Sequence, residues 1–478
     1  MAKRSSTSNL EKKIWDAACI MRGHISASDY RKIIIGILFL KFLSVGDTNI
    51  SVPPRAEWDY LISDNDVEHV GEKLNSAMIS IENANPALSD ILPRNYADGA
   101  LDNSILWDVV RLFDDVKLDK AGYGEDFLGR MYENCIAEFA AYEGKKGGEY
   151  FTPPSIVKTI VSILQPHGDC SIYDPCCGTG GMFVQSADYL RANHEDISHI
   201  RIYGQEANAD TWKMAKMNMV IHGFNADLGD RNADTFTNDL HSDLKADFVL
   251  ANPPFNYNYW SQEKLLDDRR WIYGLPSRSN ANYAWLQHCI YHLNERGRMG
   301  IVLSNGASSE KNLGVGDIRR KIIEDDIVEG IISMPSNLFY SIPFPVTIWI
   351  INKNKEQPGK TLFVEAKDMG TKVVKSHREI TEENIQLIAD TFEQFRHGGL
   401  DDKPGFCTVA TTDMIAARNF DLNIGNYITT NTDTISDEEF KERMTELSRE
   451  WVSLERQTAD IHDRIVSSFS KLGIDVLK

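Results

Sequence analysis

Apolar residues recur at helical spacing through the first third of the chain. The spacing is clear from Leu10 to Phe42 and again from Phe127 to Phe139, which predicts a mostly helical region over residues 1–145. The apolar run at 33–40 is much shorter than the roughly 20 residues that a membrane-spanning helix needs. We therefore expect a buried helix there and no membrane segment.

Between about residues 150 and 355, short apolar segments alternate with amphipathic ones. Strands are predicted at 172–173, 200–203, 248–251, 299–303, 328–332 and 346–351, and helices at 181–190, 209–221 and 282–293. This alternation predicts an α/β fold with a doubly wound, mainly parallel sheet. The last two strands lack a clear helix between them, so we expect an antiparallel strand at the edge of the sheet.

The remainder of the chain divides into two parts. Residues 355 to about 430 show no clear periodicity, and we expect irregular structure there. From Phe440 to Ile465, apolar residues alternate in steps of four and three, which predicts an a/d seam along one helix. Such a helix either packs on the protein's own body or binds a partner. The patterns predict three domains: a helical domain at 1–145, an α/β domain at 146–430 and a C-terminal heptad helix at 431–478.

Composition narrows the class of protein. The chain has 478 residues, of which 42% are hydrophobic, enough for two to four globular domains with large cores. Its seven cysteines form no CxxC pair or His/Cys ligand pattern, and the N-terminus lacks a secretory signal, so we expect a cytoplasmic protein without structural zinc. Because the net charge is −19, any nucleic acid must meet a local basic patch or be held mainly by a partner.

The predicted strand at 248–251 ends in Asn252, Pro253, Pro254 and Phe255. Two consecutive prolines end a strand, so its tip presents an amide, two proline carbonyls and an aromatic ring. The amide oxygen and a proline carbonyl suit the amino group of a flat nitrogen heterocycle, and Phe255 suits stacking on its ring. For four residues alone, a proline-terminated strand with a core Phe is the simpler interpretation.

A glycine-rich turn follows the first predicted strand and carries Asp174, Gly178, Gly180 and Gly181. Such a turn is by itself a packing turn or a dinucleotide site. The G-x-G-x-x-G spacing is absent, and the Asp174 carboxylate disfavours a pyrophosphate but suits an ammonium group. Glu206, after the next predicted strand, is placed to accept both hydroxyls of a ribose. A ligand with a ribose and an ammonium group but no phosphate is S-adenosyl-L-methionine.

Three further segments are candidates for the same site. Residues 149–154 precede a predicted helix and are either a capping segment with aromatic packing or ligand contacts. Asp230 and Asp234 each either face the cofactor adenine or cap a turn, and we favour Asp234. The helix that opens at 280–285 is expected beside the pocket for a target base.

In chain order, the segments Glu-Tyr-Phe-Thr-Pro, Asp-Pro-x-x-Gly-x-Gly-Gly, Gly-Gln-Glu and Asn-Pro-Pro-Phe resemble the amino-methyltransferases that modify adenine N6 in DNA. More narrowly, nearly the whole chain resembles the modification subunit of type I restriction-modification systems. The resemblance implies a Rossmann-like, S-adenosylmethionine-dependent methyltransferase domain at 146–430, with the target adenine at 252–255. The turn at 341–345 departs from the family's pattern, and we assign it no role. The cofactor contacts that the resemblance implies are Glu149, Tyr150, Phe151, Thr152, Pro153, Pro154, Thr179, Gly180, Gly181 and Glu206.

The resemblance also implies a mechanism and partners. Hydrogen bonds from adenine N6–H to the Asn252 side chain and the Pro253 carbonyl are expected to make the nitrogen more nucleophilic, with no metal and no nucleophilic side chain. The adenine must leave the duplex, with Phe255 replacing its lost stacking. Little over 120 residues follow the last predicted strand, which leaves no room for a full base-reading domain. We therefore expect a separate specificity subunit to choose the DNA site; the family implies two copies of this chain for each specificity subunit, and a restriction subunit in a larger complex.

Two other classes of enzyme share the Asn-Pro-Pro-[Tyr/Phe] tetrapeptide. They are glutamine methyltransferases that act on proteins and some RNA methyltransferases, because an amide or amino nitrogen makes the same demands. The helical N-terminal region and the terminal seam favour the type I system.

Overall fold

The computed structural model describes residues 3–43, 50–63, 65–99, 101–116, 152–312, 314–339, 343–374, 377–428 and 437–471. The chain divides into two compact units, residues 1–428 and 429–478. The helical pattern at 127–139 and the boundaries predicted near 145 and 430 lie outside the described residues. Within the described ranges, no helix has the length and apolar character that crossing a membrane requires.

The N-terminal residues form helices, as their spacing predicts. The apolar run at 33–40 is buried inside the second helix, again as predicted. Asp102 caps the fifth helix, since its side chain accepts the backbone N–H of Ser104. The N-terminal helices share one hydrophobic core, which includes Met214 and Met217 of the α/β part. This region therefore packs against the α/β part of the unit. The helices are α1 (Lys3–Met21), α2 (Ala27–Leu43), α3 (Trp58–Ile62), α4 (Val70–Ala84) and α5 (Asn103–Asp114).

The α/β part has the alternating strands and helices that the sequence predicts. Its strands are β1 (Ser171–Asp174), β2 (Arg201–Gly204), β3 (Ala226–Asp227), β4 (Ala246–Ala251), β5 (Leu293–Ser304), β6 (Val328–Ser333), β7 (Val346–Asn352), β8 (Lys360–Glu365), β9 (Thr371–Val374), β10 (His377–Glu379) and β11 (Cys407–Thr411). Its helices are α6 (Pro154–Leu164), α7 (Gly181–Ala192), α8 (Ala209–Ile221), α9 (Asn282–His292), α10 (Val315–Glu324), α11 (Glu382–Arg396) and α12 (Thr412–Ala416). Every strand and helix predicted between residues 172 and 351 is confirmed.

One sheet holds nine of these strands, in the order β11-β8-β6-β7-β5-β4-β1-β2-β3, while β9 and β10 pair separately. Strand β7 is antiparallel to both of its neighbours, β5 and β6. The sequence correctly predicted an antiparallel strand, but its predicted place at the edge of the sheet is wrong, because β7 lies between β5 and β6. The chain after β7 supplies β8, which pairs parallel to β6, and β11, which pairs antiparallel to β8 and forms the edge.

The expectation of irregular structure from 355 to about 430 is also wrong. This segment contains β8, α11 and β11, and it completes one side of the sheet. Helix α11 packs beside α6, and Arg396 near its end forms an ion pair with Glu329 of β6 at 2.8 Å. The C-terminal part of the unit is thus a continuation of the α/β domain.

The strand order reverses between β1 and β4, which creates a crevice at the carboxyl ends of these strands. After β1 the chain proceeds outward through β2 and β3, and it then returns to the other side of β1 as β4 and β5. The parallel register places Asp174 beside Gly204 and Tyr173 beside Val249. The loops that follow β1, β2 and β4 therefore meet at one end of the sheet.

The described part of the second unit is the single helix α13 (Asp437–Lys471), which confirms the predicted long helix. Its seam residues are each at least 48% exposed. An exposed apolar seam of this length on an otherwise charged helix is typical of a surface that a partner covers. The exposed seam residues are Phe440, Met444, Leu447, Trp451, Leu454, Ile461 and Ile465.

Candidate active site

A cavity of about 580 Å³ opens in the crevice where β1, β2 and β4 end. Parallel sheets bind ligands at such a reversal of strand order. Twelve residues predicted for the site line this cavity: Thr152, Pro154, Asp174, Gly178, Thr179, Gly181, Glu206, Asp234, Asn252, Pro253, Pro254 and Phe255. Pro153 and Gly180 adjoin lining residues in the chain but are not part of the lining. Glu149, Tyr150 and Phe151 lie outside the described residues.

The turn after β1 needs glycine at two positions. Gly178 has a φ of 56° and Gly180 a φ of 87°, in the left-handed region that residues with a Cβ rarely adopt. A Cβ at Gly180 would also lie 2.7 Å from Cε of Met219. Gly178 thereby presents backbone without a side chain to the wall of the cavity, while Gly180 packs against the core.

Asp174 ends β1 as a carboxylate that is 1% exposed. Its Oδ1 accepts the backbone N–H of Cys176 at 2.9 Å. Burial raises the pKa of Asp174 to about 7. A buried carboxylate of this kind suits a cation, which would compensate the charge that burial disfavours.

Glu206 joins the loop after β2 to the glycine-rich turn. Its Oε2 accepts the backbone N–H of Gly178 at 3.1 Å, and its Oε1 accepts that of Asn208 at 2.7 Å. Burial raises the pKa of Glu206 as well. Each carboxylate oxygen has a second acceptor position, so the fixed side chain suits a pair of ligand hydroxyls.

The side-chain amide of Asn252, at the tip of β4, has a hydrogen-bond partner for its nitrogen but, among the described residues, none for its oxygen. Its Nδ2 donates to Oγ1 of Thr152 at 2.9 Å, which fixes the amide plane. Its Oδ1 is buried, and no donor in the described part of the chain reaches it. Because a buried acceptor without a donor is unfavourable, this oxygen suits a ligand N–H in the cavity.

Three phenylalanines meet at one side of the cavity. The ring centroid of Phe255 lies 5.8 Å from that of Phe339, edge to face, and 6.4 Å from that of Phe344. Phe339 is buried and Phe344 is 45% exposed. The sequence assigned no role to the turn that contains Phe344, and the structure corrects this by placing its ring beside Phe255. Such a cluster suits a flat ring.

Asp234 lines the cavity and also caps a turn, since its Oδ1 accepts the backbone N–H and the hydroxyl of Thr237, both at 2.8 Å. Asp230 pairs with Arg231 and is not among the lining residues. Of the two aspartates, Asp234 is thus the one that lines the cavity, and its contact with a cofactor stays a prediction.

Sequence reasoning missed several lining residues. Asn256, Tyr257 and Phe339 come from loops, where no short motif marks them. The helix start at 280–285 was predicted to lie beside the pocket, and Trp285 is the residue of this segment that lines it. The indole Nε1 of Trp285 is buried and, among the described residues, has no hydrogen-bond acceptor.

A second polar cluster lies beneath the site. Single ligand atoms of Asp239, His288 and His292 lie within 4.8 Å of one another. Arg270 occupies the same place, with Nη1 at 3.1 Å from Nδ1 of His288 and 3.9 Å from Oδ2 of Asp239. A guanidinium competes with a metal ion for these lone pairs. The cluster instead supports β1, because Nε2 of His288 lies 3.1 Å from the hydroxyl of Tyr173.

Two family models match the chain. Residues 123–436 match the model described as N-6 DNA methylase, and residues 10–113 match the model described as HsdM N-terminal domain. Together the two matches cover most of the chain.

Individual relatives agree with these matches. The chain is 37% identical to the type I restriction enzyme HindI methylase subunit of Haemophilus influenzae, over 85% of this chain and 93% of that protein. It is 32% identical to the type I restriction enzyme MjaIX methylase subunit of Methanocaldococcus jannaschii, over 98% of this chain and 92% of that protein. A solved structure of a type I restriction-modification methyltransferase subunit from Streptococcus thermophilus superposes with a TM-score of 0.76 at 25% identity, covering 89% of this chain and 100% of that one.

Proposed function

The chain belongs to the N-6 DNA methylases, as a type I restriction enzyme methylase subunit, and from this we propose that it transfers a methyl group from S-adenosylmethionine to N6 of an adenine in DNA. The observation that carries the residue-level proposal is the buried Oδ1 of Asn252, which no donor among the described residues satisfies. The relatives are DNA methylases, which does not favour the protein-glutamine and RNA alternatives.

The cavity residues fit the cofactor. Asp174 would hold its ammonium group, Glu206 its ribose hydroxyls, and Asp234 is our candidate for its adenine amino group. Gly178, which lines the cavity with a left-handed backbone, presents no side chain to this wall. When bound, S-adenosylmethionine supplies a methyl group activated by the positive sulfonium.

The tip of β4 would hold the target amine. N6 of adenine is a poor nucleophile because its lone pair is delocalised into the ring. Oδ1 of Asn252 and the carbonyl oxygen of Pro253 would accept its two N–H groups and favour a nitrogen with a localised lone pair. Thr152 keeps the amide turned with its oxygen free, since the hydroxyl accepts from Nδ2. Orientation of the amine then provides most of the chemical assistance.

The aromatic cluster would hold the target ring. An adenine stacked in a duplex cannot reach this cavity, so the base must leave the helix. Phe255 would stack on it, with Phe344 closing the other side of the site. Stacking on two aromatic rings offsets part of the cost of unstacking the base from its neighbours.

We infer that other chains select the DNA site. The chain is acidic, with a net charge of −19, which is opposite to the charge that a solitary DNA-binding protein needs. The apolar seam of α13 is our candidate for docking to a specificity subunit. Two copies of this chain per specificity subunit, and a restriction subunit in a larger complex, complete the proposed assembly.

The proposed role of Asn252 is tested with Asn252→Ala in the enzyme assembled with its specificity subunit. We expect the single-turnover rate of methyl transfer to DNA to fall by about a hundredfold or more, the order of loss for a positioned transition-state hydrogen bond, while cofactor affinity is unchanged. Asn354→Ala, at an exposed asparagine in the turn after β7, is the matched control and should leave the rate intact. Near-normal transfer by Asn252→Ala would reject the assignment.

A further inference from the structure

The loop between β4 and α9, residues 257–280, starts and ends beside the active-site cavity. The backbone N–H of Ala281 donates to the carbonyl of Tyr257 at 2.8 Å, which joins the two ends of the loop. Between these ends, Trp260, Trp271 and Tyr273 are buried. These three side chains belong to the core of the α/β part, so the loop is a packed projection that is anchored on that core and at the cavity that Tyr257 lines.

An amide cluster fixes the first turn of this projection. Oδ1 of Asn256 accepts hydrogen bonds from Nδ2 of Asn280 at 3.2 Å, Nδ2 of Asn282 at 3.1 Å and Oγ of Ser304 at 3.0 Å. The backbone N–H of Asn256 donates to Oδ1 of Asn282 at 3.2 Å. Asn282 and Ser304 are buried, so these bonds are shielded from water. The turn directly after Phe255 is thus held rigidly against α9 and the end of β5.

The same turn has three residues with a left-handed backbone. Asn256, Tyr259 and Ser261 have φ values of 53°, 61° and 61°. Asparagine tolerates this left-handed conformation, but a tyrosine rarely adopts it. The Tyr259 side chain is 85% exposed, so its own packing does not compensate for the strained backbone, which its neighbours Asn256 and Trp260 hold in place. Strain that persists in this way is common at ligand-contacting sites.

The loop that carries Tyr259 is apolar and lacks the acidic excess of the rest of the chain. Among the described residues of the first unit, five of the ten exposed large apolar side chains lie between 257 and 275, which makes this loop its main apolar projection. The segment 257–280 carries four basic and three acidic residues, in a chain that has 70 acidic and 51 basic ones. Arg270 is buried in its ion pair with Asp268, and Arg269 pairs with Asp243, so the loop surface is apolar and aromatic rather than charged. Such a surface suits contact with bases.

We propose that Tyr259 contacts the DNA duplex at the position that the target adenine leaves, and that its ring replaces part of the lost stacking there. This inference rests on the proposed function, because it requires a base that moves into the cavity. Tyr257, two residues earlier, lines that cavity, so the projection is continuous with the entrance through which the base must pass. The role differs from that of Phe255, which stacks on the base inside the site.

The test uses the enzyme assembled with its specificity subunit and compares Tyr259→Ala with Tyr259→Phe. The probe is an oligonucleotide duplex that carries the recognition site, with either thymine or a mismatched base opposite the target adenine. For Tyr259→Ala we expect about a tenfold slower single-turnover methylation of the matched duplex, as the loss of one base–aromatic contact predicts. The mismatched duplex should be methylated at nearly the wild-type rate, because its target base is already less well stacked and paired.

Two variants act as controls. Tyr259→Phe retains the ring and should behave as wild type. Tyr60→Ala removes another exposed tyrosine, in α3 and 46% exposed, and should leave both rates unchanged. With 2-aminopurine at the target position, Tyr259→Ala should also give a smaller fluorescence increase on binding than wild type. A mismatch opposite the target adenine should restore the methylation rate of Tyr259→Ala, which it would not do for a merely structural defect of the loop.

Three outcomes would overturn the inference. Wild-type rates for Tyr259→Ala on matched DNA would show that the ring is dispensable. An equal loss on matched and mismatched DNA, or a loss of assembly with the specificity subunit in size-exclusion chromatography, would assign the residue to protein contacts. If the wild-type assembly transferred no methyl group to DNA, the proposed function itself would fail, and this inference with it; the wild-type reaction thus separates the two failures.

Discussion

Asp174 carries the most perturbed carboxylate of the proposed cofactor site. Burial raises its pKa to about 7, so near neutral pH the free protein holds it partly protonated. An ammonium group favours the ionised form, and binding therefore lowers this pKa. As pH falls through 7, the carboxyl is increasingly protonated before binding and must lose its proton when the ligand binds.

We therefore expect the affinity for S-adenosylhomocysteine, which carries the same ammonium group, to fall by up to about tenfold for each pH unit below 7. Calorimetry between pH 6 and pH 8 measures this, together with proton release in buffers of different ionisation enthalpy. Asp174→Asn should bind weakly and with less dependence on pH. Asp230→Asn, at an exposed aspartate outside the cavity lining, is the control. A wild-type affinity that does not change over this range contradicts the role of Asp174.

The sequence predicted which residues lie at the site more successfully than it predicted the contacts between their side chains. The strand end and its two prolines predicted that Asn252 is presented at a sheet edge. The hydrogen bond to Thr152 joins residues 100 positions apart, and no local pattern encodes such a pair. Phe344 was missed for a related reason, because a Pro-flanked aromatic in a turn has no periodicity and its partner, Phe255, is distant in sequence.

At the scale of elements, the strands from β1 to β7, apart from the two-residue β3, were predictable, whereas β8 and β11 at the far edge of the sheet were not. Strands β1, β2 and β4 are short apolar runs followed by turn residues, which single them out. Strand β8 has only three consecutive apolar residues between polar ends, and it pairs with β6 across the sheet. Helix α11 did carry a signal, since Ile385, Ile388, Phe392 and Phe395 recur at helical spacing and are buried.

The ion pair between Arg396 of α11 and Glu329 of β6 links that missed helix to the sheet. Both residues are buried, and two hydrogen bonds join them, at 2.8 Å and 3.1 Å. Burial alone would raise the pKa of Glu329, but the guanidinium outweighs it and lowers this pKa below its ordinary value. Arg396 also donates to the carbonyl of Ile163 at the end of α6 at 2.8 Å.

Removing one partner of such a pair leaves an uncompensated buried charge. We expect Arg396→Met to lower the free energy of unfolding by about 3–5 kcal/mol, measured by urea denaturation. Arg320→Ala, which breaks the exposed pair with Glu324 on α10, should change it little. Equal effects of the two substitutions would show that burial does not govern the strength of this contact.

Helix α13 has an apolar seam that no other element in the described part of its unit covers. Its exposed seam predicts a protein partner, and we expect Trp451→Asp to abolish assembly with the specificity subunit, since a buried unpaired charge at a seam position opposes helix packing. Ser453→Asp introduces the same residue off the seam and should leave assembly intact. Size-exclusion chromatography with light scattering measures both. If Trp451→Asp assembled normally, or if deletion of residues 437–478 had no effect, the docking role would be rejected.

At the scale of the whole molecule, the net charge and the cavity indicate a division of roles between this chain and a partner subunit. The α/β part holds a cavity in which a buried carboxylate, a fixed amide and an aromatic cluster face one another. The chain is strongly acidic, with a net charge of −19. This combination suits a subunit that performs chemistry on DNA while another subunit holds and reads the duplex.

The most direct test of this division is the mapping of N6-methyladenine in DNA after incubation with S-adenosylmethionine and either this chain alone or the chain with its specificity subunit. We predict N6-methyladenine at one defined sequence when both subunits are present, no such site-specific product from the chain alone, and none from an assembly that carries Asn252→Ala. Methyl label in protein or RNA instead of DNA, or the same site-specific DNA methylation without the specificity subunit, would contradict the account.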